Sequence, residues 1–467
     1  MTISSEFIRQ MKRLMPSECD ALIEAITTTS PPVSLRINDA KAALLALQAS
    51  SVRSRVPWCP LGAYLNGRQP FTFDPDFQTG RYYVQDASSM FIYHAIQSLV
   101  KTPARYLDLC AAPGGKTTAA LSALPAGSMV VANETVPQRA RILLENVTKW
   151  GNPRCVVTSN SSKEMGRLAH FFDLVAIDAP CSGEGMMRKD EEAVAQWSPA
   201  LVRQCAELQH RIIDEAWSAL KPGGLLIYST CTYNRQENED VVEYIISQYH
   251  AQSVEVPTEG EWNIWHGIGT DAHCYRFLPH RTMGEGLFMA VLQKPEDEPL
   301  RPSKRKKGKS EKQLPLPRGI ENWLKTPGDF DLQLAQGRIV ACPHDMSSDL
   351  QLISATLNVL HQGITLGAVK GRNCIPSHSL ALSTQLNGNA FARCEIDYRT
   401  ALAYLRGEAI TVRAPKGYTL LTHASNPIGF VNNLGSHANN LYPKPWRILS
   451  THLPAQEPRL LRSPMEQ

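Results

Sequence analysis

The chain has 467 residues, a length typical of two to four domains, and its 43% hydrophobic residues are enough for packed cores. The net charge of +4 argues for no class of partner by itself, so the distribution of charge along the chain matters more. The eleven cysteines include no Cys-x-x-Cys pair and no apolar run reaches the ~18 residues of a membrane span, so we predict no metal site, no disulfide framework and a soluble, cytoplasmic protein.

Residues 1–80 predict a small α+β domain. Helical patterns precede a Pro-Pro break at 31–32, and VSLRIN (33–38) predicts a strand. A section rich in Pro, Trp and Gly follows, over roughly 57–80.

Residues 81–295 alternate short apolar strands with helices. We predict strands over 104–110, 128–134, 154–160, 171–181, 225–231 and 286–294, and helices over 117–124, 137–150 and 199–220, the last stopping at KPGG (221–224). The unbroken apolar run within FFDLVAIDAPC (171–181) indicates a strand buried on both faces. The alternation predicts an α/β fold with a doubly wound, mostly parallel sheet.

The last third of the chain is more varied. Residues 296–318 predict a linker in which seven residues from Arg301 to Lys312 are basic and one is acidic. Such a run is typical of a solvated tether, and between two domains it can also track phosphates. Residues 319–390 have no assignment. Residues 391–467 predict a small β-rich domain with nine basic and five acidic residues, a net charge of +4.

The stretch DLCAAPGGKTT (108–118) lies at the turn after the first strand of this sheet. It ends like a phosphate-binding P-loop, but Cys110 stands where that loop needs its first glycine, and no Gly-x-Gly-x-x-Gly dinucleotide motif is present. A nucleoside-type cofactor without phosphates is the third possibility. Glu134, at the end of the second strand, is then placed to bind ribose hydroxyls. Capping of the following helix is an equally good interpretation of Glu134.

Two cysteines follow the ends of two later strands. Cys181 lies in DAPCSGEG (178–185) and Cys231 in STCTYN (229–234), both in polar loops beside the cofactor turn. A thiolate adding to C6 of a pyrimidine makes C5 nucleophilic enough to attack a methyl group, and the thiol is then eliminated. Asp178 is the candidate acid that holds the base, although Asp also caps turns. These residues alone do not decide which cysteine attacks.

Several stretches together resemble the Sun/Nop-type RNA cytosine-5 methyltransferases, which use S-adenosylmethionine. The matching stretches are SLRIN (34–38), YYVQDASSM (82–90), DLCAAPGGKT (108–117), ANE (132–134), DAPCSGEG (178–185), KPGGLLIYSTCT (221–232) and RFLPHRTMGEGLFMAV (276–291). The resemblance covers about residues 30–295. It implies a Rossmann-like S-adenosylmethionine-dependent methyltransferase sheet, with an RNA-binding-type domain at residues 1–80 and the catalytic domain at 81–295.

The resemblance also assigns roles to individual residues. Cys231 is the expected nucleophile, Cys181 assists product release, Asp178 contacts the target base near the cofactor, and Lys116 orients groups at the site. The expected cofactor-binding residues are Cys110, Ala111, Ala112, Pro113, Gly114, Gly115, Lys116, Glu134, Ser161 and Asp178. Ser161 occupies a position where the family usually has an Asp that contacts the adenine side of the cofactor. The serine is therefore a departure from the family pattern.

The C-terminal stretches YLRGEAI (404–410) and GYTLLTHASNPIGFVNNLGSHANNLYP (417–443) resemble a PUA-type RNA-binding domain. A catalytic domain with such an extension resembles the bacterial enzymes of this family that methylate 16S ribosomal RNA. The expected partner is therefore 16S ribosomal RNA in the 30S subunit, with a cytosine near the decoding site as target and a monomeric enzyme. Two alternatives are a P-loop nucleotide hydrolase, which Cys110 disfavours, and a non-catalytic assembly factor, which the two cysteines disfavour.

Overall fold

The computed structural model describes residues 3–296, 316–371, 373–454 and 456–462. Within these ranges the strands form a nine-stranded central sheet and three four-stranded sheets. The basic run 301–312, with most of the predicted linker 296–318, lies outside the described residues. None of the helices in the described ranges is long and apolar enough to cross a membrane.

The N-terminal part carries an antiparallel sheet of order β2-β3-β1-β4. Its elements are α1 (Ser5–Leu14), α2 (Cys19–Thr28), β1 (Ser34–Ile37), β2 (Val52–Arg55), β3 (Gly62–Leu65), α3 (Pro75–Gln78) and β4 (Tyr82–Val84). Arg36 on β1 is fully buried, and its guanidinium donates to the carbonyl oxygens of Gly115 (3.2 Å) and Thr118 (3.3 Å). Arg36 therefore joins this sheet to the helix that begins at Gly115.

The central part contains the predicted alternation of strands and helices. Its elements are α4 (Phe91–Leu99), β5 (Arg105–Asp108), α5 (Gly115–Ala123), β6 (Met129–Asn133), α6 (Pro137–Trp150), β7 (Cys155–Thr158), α7 (Ser162–Met165), β8 (Phe172–Asp178), α8 (Glu191–Gln196), α9 (Pro199–Ala216), β9 (Leu220–Thr230), α10 (Glu239–Tyr249), β10 (Gln252–Val254), β11 (Cys274–Phe277) and β12 (Leu287–Gln293).

The central sheet has the order β10-β12-β9-β8-β5-β6-β7, with β11 paired to β12, and a strand from the last third of the chain, β15 (Val359–His361), follows β7. The five strands from β5 to β9 are parallel and form the middle of the sheet, as predicted. Helices α4, α5 and α6 pack on one face, and α7, α9 and α10 pack on the other. The carboxyl ends of the parallel strands therefore meet at one edge, where ligands bind in sheets of this type.

The junction between α9 and β9 differs from the prediction. α9 ends at Ala216, and β9 begins at Leu220 and runs through the KPGG stretch rather than after it. The Gly223 amide donates to the Lys294 carbonyl at 3.1 Å, and the Lys294 amide donates to the Gly224 carbonyl at 2.9 Å. Gly223 has a φ of 73°, which glycine adopts without strain. The turn residues thus mark an irregularity inside the strand.

Residues 319–390, unassigned from sequence, pack against the central sheet. Their elements are β13 (Phe330–Ala335), β14 (Arg338–Pro343), α11 (Ser347–Thr356), β15 (Val359–His361), β16 (Ile364–Lys370), β17 (Asn373–Pro376) and α12 (His378–Leu382). Four of the strands form an antiparallel sheet, while β15 extends the central sheet by antiparallel pairing with β7. Leu350 and Ile353 of α11 are buried in the same core as Val156 of β7. This segment is therefore part of the central packing.

The C-terminal part is β-rich, as predicted. Its elements are β18 (Ala392–Glu395), α13 (Tyr398–Leu405), β19 (Gly417–His423), β20 (Asn426–Asn433) and β21 (Ala438–Asn440), with the strands in chain order in one sheet. The chain then returns to the N-terminal sheet, where Leu460 and Leu461 are buried and the Gln48 amide donates to the Leu460 carbonyl at 2.9 Å.

Candidate active site

The turn between β5 and α5 lies at the carboxyl edge of the central sheet. Asp108, fully buried at the end of β5, accepts a 2.6 Å hydrogen bond from the Thr117 hydroxyl, which fixes the first turn of α5. Burial raises the pKa of Asp108 to about 7. The peptide bond between Ala112 and Pro113 is cis.

The start of α5 presents backbone donors to this edge. Gly114 precedes the helix with a φ of 111°, and no side chain caps the helix. The first amides of a helix lack intrahelical partners and favour an electronegative group. The predicted cofactor residues of this turn lie in the connection or in the first turn of α5: Cys110, Ala111, Ala112, Pro113, Gly114, Gly115 and Lys116.

Glu134 directly follows β6 and is buried. One carboxylate oxygen accepts a hydrogen bond from the Val136 amide at 2.9 Å, at the start of α6, so the helix-capping interpretation is correct for that oxygen. The other oxygen lies 3.4 Å from the Arg139 guanidinium and has no hydrogen-bond partner in the described part of the chain. A buried acceptor without a donor is unfavourable, and a ribose hydroxyl would satisfy it. The site therefore fits the nucleoside part of a cofactor.

Lys116 and Asp178 form the polar centre of the site. Lys116 Nζ lies 2.8 Å from Asp178 Oδ2, and the Ser229 hydroxyl donates to Asp178 Oδ1 at 2.9 Å. Burial opposes the charge on Lys116, but the Asp178 carboxylate outweighs it and the pKa of Lys116 is raised. Lys116 is thus an ammonium held on an acid that projects from the end of β8.

Cys181 and Cys231 meet beside this pair. Their sulfur atoms are 3.2 Å apart, although 50 residues separate them in the sequence. Both are half-buried. The hydrogen bond to Cys231, together with burial, raises the pKa of Cys181 well above its usual range. Because two adjacent thiolates would repel each other, the arrangement favours a protonated Cys181.

Two buried glutamates join the loops that carry the cysteines, which we name the Cys181 loop (179–187) and the Cys231 loop (231–238). Glu184 accepts hydrogen bonds from the amides of Tyr233 (2.6 Å) and Asn234 (2.9 Å). Glu237 accepts from the Ser182 amide at 2.9 Å and from its hydroxyl. Burial raises the pKa of Glu237.

Ser161 is engaged locally. It caps α7 in a reciprocal arrangement, in which the Ser161 hydroxyl accepts from the Glu164 amide at 3.3 Å and the Glu164 carboxylate accepts from the Ser161 amide at 2.9 Å. Within the described ranges, no side-chain hydrogen bond or ion pair joins Ser161 to Glu134 or to the other predicted site residues, and its hydroxyl bonds to Glu164. Ser161 is predicted from the sequence to lie at the cofactor. The Ser-x-x-Glu spacing of residues 161–164 is also the local signal of a capping box, which that prediction did not use.

Four functional candidates were absent from the sequence predictions: Asp108, Arg139, Glu184 and Glu237. Asp108 and Glu184 lie inside stretches that the resemblance used, but nothing in the sequence says that their carboxylates turn inward. Arg139, besides its approach to Glu134, donates to the Ala112 carbonyl at 2.9 Å and so ties α6 to the turn. These residues are candidates because of contacts with residues distant in the sequence, which no local pattern indicates.

The chain matches three family descriptions in succession. These are the N-terminal domain of 16S rRNA methyltransferase RsmF over residues 3–87, 16S rRNA methyltransferase RsmB/F over 99–293, and the methyltransferase RsmF PUA domain over 391–448. A ribosomal RNA small subunit methyltransferase F from Salmonella agona is 30% identical over 465 residues, with 94% of this chain and 95% of the relative covered. The protein of that name from Erwinia tasmaniensis is 29% identical over 464 residues, with the same coverage.

The chain belongs to the ribosomal RNA small subunit methyltransferase F family. The predicted Sun/Nop-type family resemblance is thereby confirmed, and so is the PUA-like nature of the C-terminal domain.

Solved structures share the fold of this chain. A methyltransferase homologue protein from Pyrococcus horikoshii is 27% identical, with a TM-score of 0.53, and the match covers 62% of this chain and 95% of that one. NSun6 from Pyrococcus horikoshii, solved with SFG, has a TM-score of 0.54 at 19% identity and shares the fold over 63% of this chain and 99% of its own. The predicted Rossmann-like methyltransferase sheet is confirmed.

Proposed function

We propose that this protein transfers a methyl group from S-adenosylmethionine to C5 of a cytosine in 16S ribosomal RNA, through a covalent bond between Cys231 and C6 of the base. The observation that carries the proposal is the pair of thiols of Cys181 and Cys231, 3.2 Å apart and next to the Lys116–Asp178 pair. One thiol alone is the usual small hydrophobe of a core, but two in polar loops at a cofactor edge suit nucleophilic catalysis.

The cofactor site we propose is the turn from Cys110 to Lys116 together with Glu134, Asp178 and Ser161. The uncapped amides of α5 support it, and so does the Glu134 oxygen that has no hydrogen bond in the described part of the chain. S-adenosylmethionine would supply an electrophilic methyl group there. Ser161 has the least support among these proposed cofactor residues, because its hydroxyl already caps α7.

The proposed roles follow from what each group can do. The Cys231 thiolate attacks C6, forming an S–C bond and turning C5 into an enamine carbon that takes the methyl group. The C5 proton then leaves to a base, and the S–C bond breaks as the C5–C6 double bond returns. Cys181 assists this release. Asp178, held by Lys116 and Ser229, binds the polar edge of the cytosine, accepting from its amino group.

The domains divide the work. We propose a catalytic domain at 81–295 flanked by an RNA-binding-type domain at 1–80 and a PUA-like domain at 391–467, with the linker at 296–318 between them. The family matches at 3–87, 99–293 and 391–448 support these boundaries. The proposed substrate is the 30S subunit with a cytosine near the decoding site, and the proposed enzyme is a monomer. The target base must leave its stack to reach the thiols.

Transfer of labelled methyl groups to 30S subunits from cells that lack this enzyme tests the proposal, with free 16S ribosomal RNA as a second substrate. We expect 5-methylcytidine after digestion of RNA treated with the wild-type protein. Cys231→Ala should transfer nothing, and Cys181→Ala should accumulate a protein–RNA adduct that survives denaturation. Cys394→Ala is the matched control, since Cys394 is also half-buried but lies on β18.

The other outcomes are equally informative. An adduct in Cys231→Ala together with no transfer would reverse the roles of the two thiols. Label at a position other than cytosine C5 would remove the covalent mechanism. Failure of the wild-type protein to methylate any RNA, with binding intact, would leave the non-catalytic assembly factor as the function.

A further inference from the structure

A cavity of about 430 Å³ lies where the N-terminal part, the segment 319–390 and the C-terminal part meet. Lys41 and Arg81 line it from the first, Lys325 from the second and Arg393 from the third. None of the proposed active-site residues contributes to its wall. Among the described residues that line it there are four cations and no Asp or Glu.

Three of these cations lack an acidic partner in the described part of the chain. Lys41 donates to the backbone carbonyls of Thr79 (2.9 Å) and Lys149 (2.5 Å), and Lys325 donates to the Thr384 carbonyl at 2.7 Å. Arg393 makes no hydrogen bond or ion pair there, and its guanidinium instead lies beside Gly388. Each unneutralised cation comes from a different part of the chain, so the charge accumulates only in the folded protein.

Arg81 differs, because Asp76 neutralises it at 2.7 Å. Even so, its Nε atom is buried without a hydrogen-bond partner. Burial, with the nearby charge of Arg81, lowers the pKa of Lys41 to about 7. A half-buried cation without a counterion and a buried donor without an acceptor both raise the free energy of the folded protein. A bound anion would supply the counterion that Lys41 lacks.

The rest of the wall is suited to a nucleotide. Its polar side chains include those of Thr384, Asn387, Asn389 and Asn426. The Asn387 and Asn426 amides and the Thr384 hydroxyl already donate to backbone carbonyls at 2.8, 2.9 and 3.3 Å, but an amide or hydroxyl oxygen has lone pairs that accept hydrogen bonds from a ligand. The volume lies within the ~300–1,000 Å³ of small-ligand pockets. Cations for a phosphate, with polar side-chain oxygens for a sugar or base edge, together suit one nucleotide.

We propose that this cavity binds one nucleotide of the RNA substrate, with its phosphate against Lys41, Lys325 and Arg393. The inference rests on the proposed function only in taking RNA as the substrate. Helix α6 runs from Arg139, beside Glu134, to Lys149, beside Lys41, and ten residues of helix span about 15 Å. The bound nucleotide is therefore not the target cytosine but a second point of attachment on the RNA.

Free nucleotides and inorganic phosphate share this chemistry. RNA is favoured because the cations come from all three parts of the chain, two of which match an RsmF N-terminal domain and a PUA domain. Neutralising phosphates of a nucleic acid also releases counterions, which makes binding depend steeply on salt.

The test compares two double variants of the full chain. Lys325→Gln with Arg393→Gln removes two charges from the cavity while leaving the buried Lys41 intact. Lys101→Gln with Arg338→Gln removes two charges from exposed positions that do not line the cavity. Retention of unmethylated 30S subunits and of 16S ribosomal RNA on filters is measured from about 50 to 200 mM KCl. Over this range, affinity that depends on phosphate contacts falls steeply.

We expect the cavity variant to bind about 10-fold more weakly at the lower salt, with the slope of log affinity against log salt reduced by about 1 relative to the control variant, because one phosphate loses its contacts. S-adenosylmethionine affinity should stay unchanged, and so should the turnover number at saturating subunits. Binding is measured without methyl transfer, so this result does not depend on whether cytosine C5 is the methylated position.

Equal binding by the two double variants would overturn the proposal. A calorimetric titration with AMP and with inorganic phosphate distinguishes the sources of the ligand. If either ligand binds the wild-type protein and not the cavity variant, while subunit binding is equal, the cavity is a site for a free small anion and the RNA assignment is wrong.

Discussion

Glu184 and Glu237 each belong to one cysteine loop and bind the other. Glu184, three residues after Cys181, accepts two amide hydrogen bonds of 2.6 and 2.9 Å from the Cys231 loop. Glu237, six residues after Cys231, accepts the amide of Ser182 at 2.9 Å. Two crossed carboxylates therefore hold the loops together, and with them the 3.2 Å separation of the sulfur atoms.

The first prediction is that Glu184→Gln lowers the turnover number more than it lowers cofactor affinity. The charged acceptor of two amides becomes a neutral amide, a loss of about 1.5–3 kcal/mol in the free energy of unfolding. Looser loops should reduce methyl transfer at least about 10-fold, a barrier increase of about 1.4 kcal/mol. Urea unfolding, cofactor calorimetry and steady-state kinetics measure the three quantities.

Glu192→Gln is the matched control for Glu184. Glu192 is exposed in the first turn of α8, and its carboxylate accepts a hydrogen bond from the Gln196 amide at 2.7 Å. The control should leave turnover within about twofold of wild type, as surface changes do. Unchanged turnover in Glu184→Gln would mean that the cysteine loops keep their geometry without the crossed carboxylates.

The second prediction concerns Glu134. One of its carboxylate oxygens is buried and accepts no hydrogen bond in the described part of the chain, although Arg139 lies 3.4 Å away, so a ligand hydroxyl that reaches this oxygen makes a hydrogen bond to a charge. Glu134→Gln should weaken S-adenosylmethionine binding about 10- to 100-fold, since such bonds contribute about 1.5–3 kcal/mol. Calorimetric titration measures the loss. Glu145→Gln, which changes a carboxylate on α6 paired with Lys149, should keep wild-type affinity. Equal affinities for both variants would place the ribose elsewhere.

The third prediction separates two roles for Ser161. Ser161→Ala removes the cap of α7, which should lower the free energy of unfolding by about 1 kcal/mol. Because the hydroxyl already bonds to Glu164, cofactor affinity should change less than twofold. Chemical unfolding and calorimetry together give the answer. A loss of affinity larger than about 10-fold, at unchanged stability, would restore Ser161 as a cofactor ligand.

The sequence predicted the middle of the sheet well because the signals there are local. The helix 137–150 has the predicted bounds: Pro137 lies in its first turn, and Gly151 ends it with a φ of 79°. Five of the seven residues of the strand 172–178 are buried, as its apolar run indicated, and the other two are aspartates. Cys181 and Cys231 follow the carboxyl ends of two neighbouring parallel strands, β8 and β9. The topology of the sheet therefore brings both to one edge.

The sequence could not predict features that depend on distant pairing. β15 is three residues long, and it joins the central sheet only because β7 offers it an edge about 200 residues earlier in the chain. The crossed glutamates carry no local signal either, since a Glu in a polar loop is normally exposed. The cation cavity likewise exists only after three parts of the chain have folded together.

The fourth prediction is that Asp108→Asn alters the pH dependence of stability. The pKa of Asp108 is raised to about 7 in the folded protein, mainly by burial, against an ordinary value near 3.8 in the unfolded chain. Between about pH 4 and pH 7 the folded protein therefore holds a proton that the unfolded chain has released. By linkage, this residue's contribution to stability is present at low pH and is lost as pH rises through that range.

Asn carries no such proton and still accepts from Thr117, so the variant should gain stability relative to wild type as pH rises. The difference in the free energy of unfolding between the two proteins should shift by about 2–3 kcal/mol between pH 5 and pH 8. Urea unfolding of both proteins without cofactor at the two pH values measures the shift, and the comparison cancels the contributions of other titrating groups. A difference that is independent of pH would mean that Asp108 is ionised in the folded protein throughout, with Lys116 or a solvent path stabilising its charge.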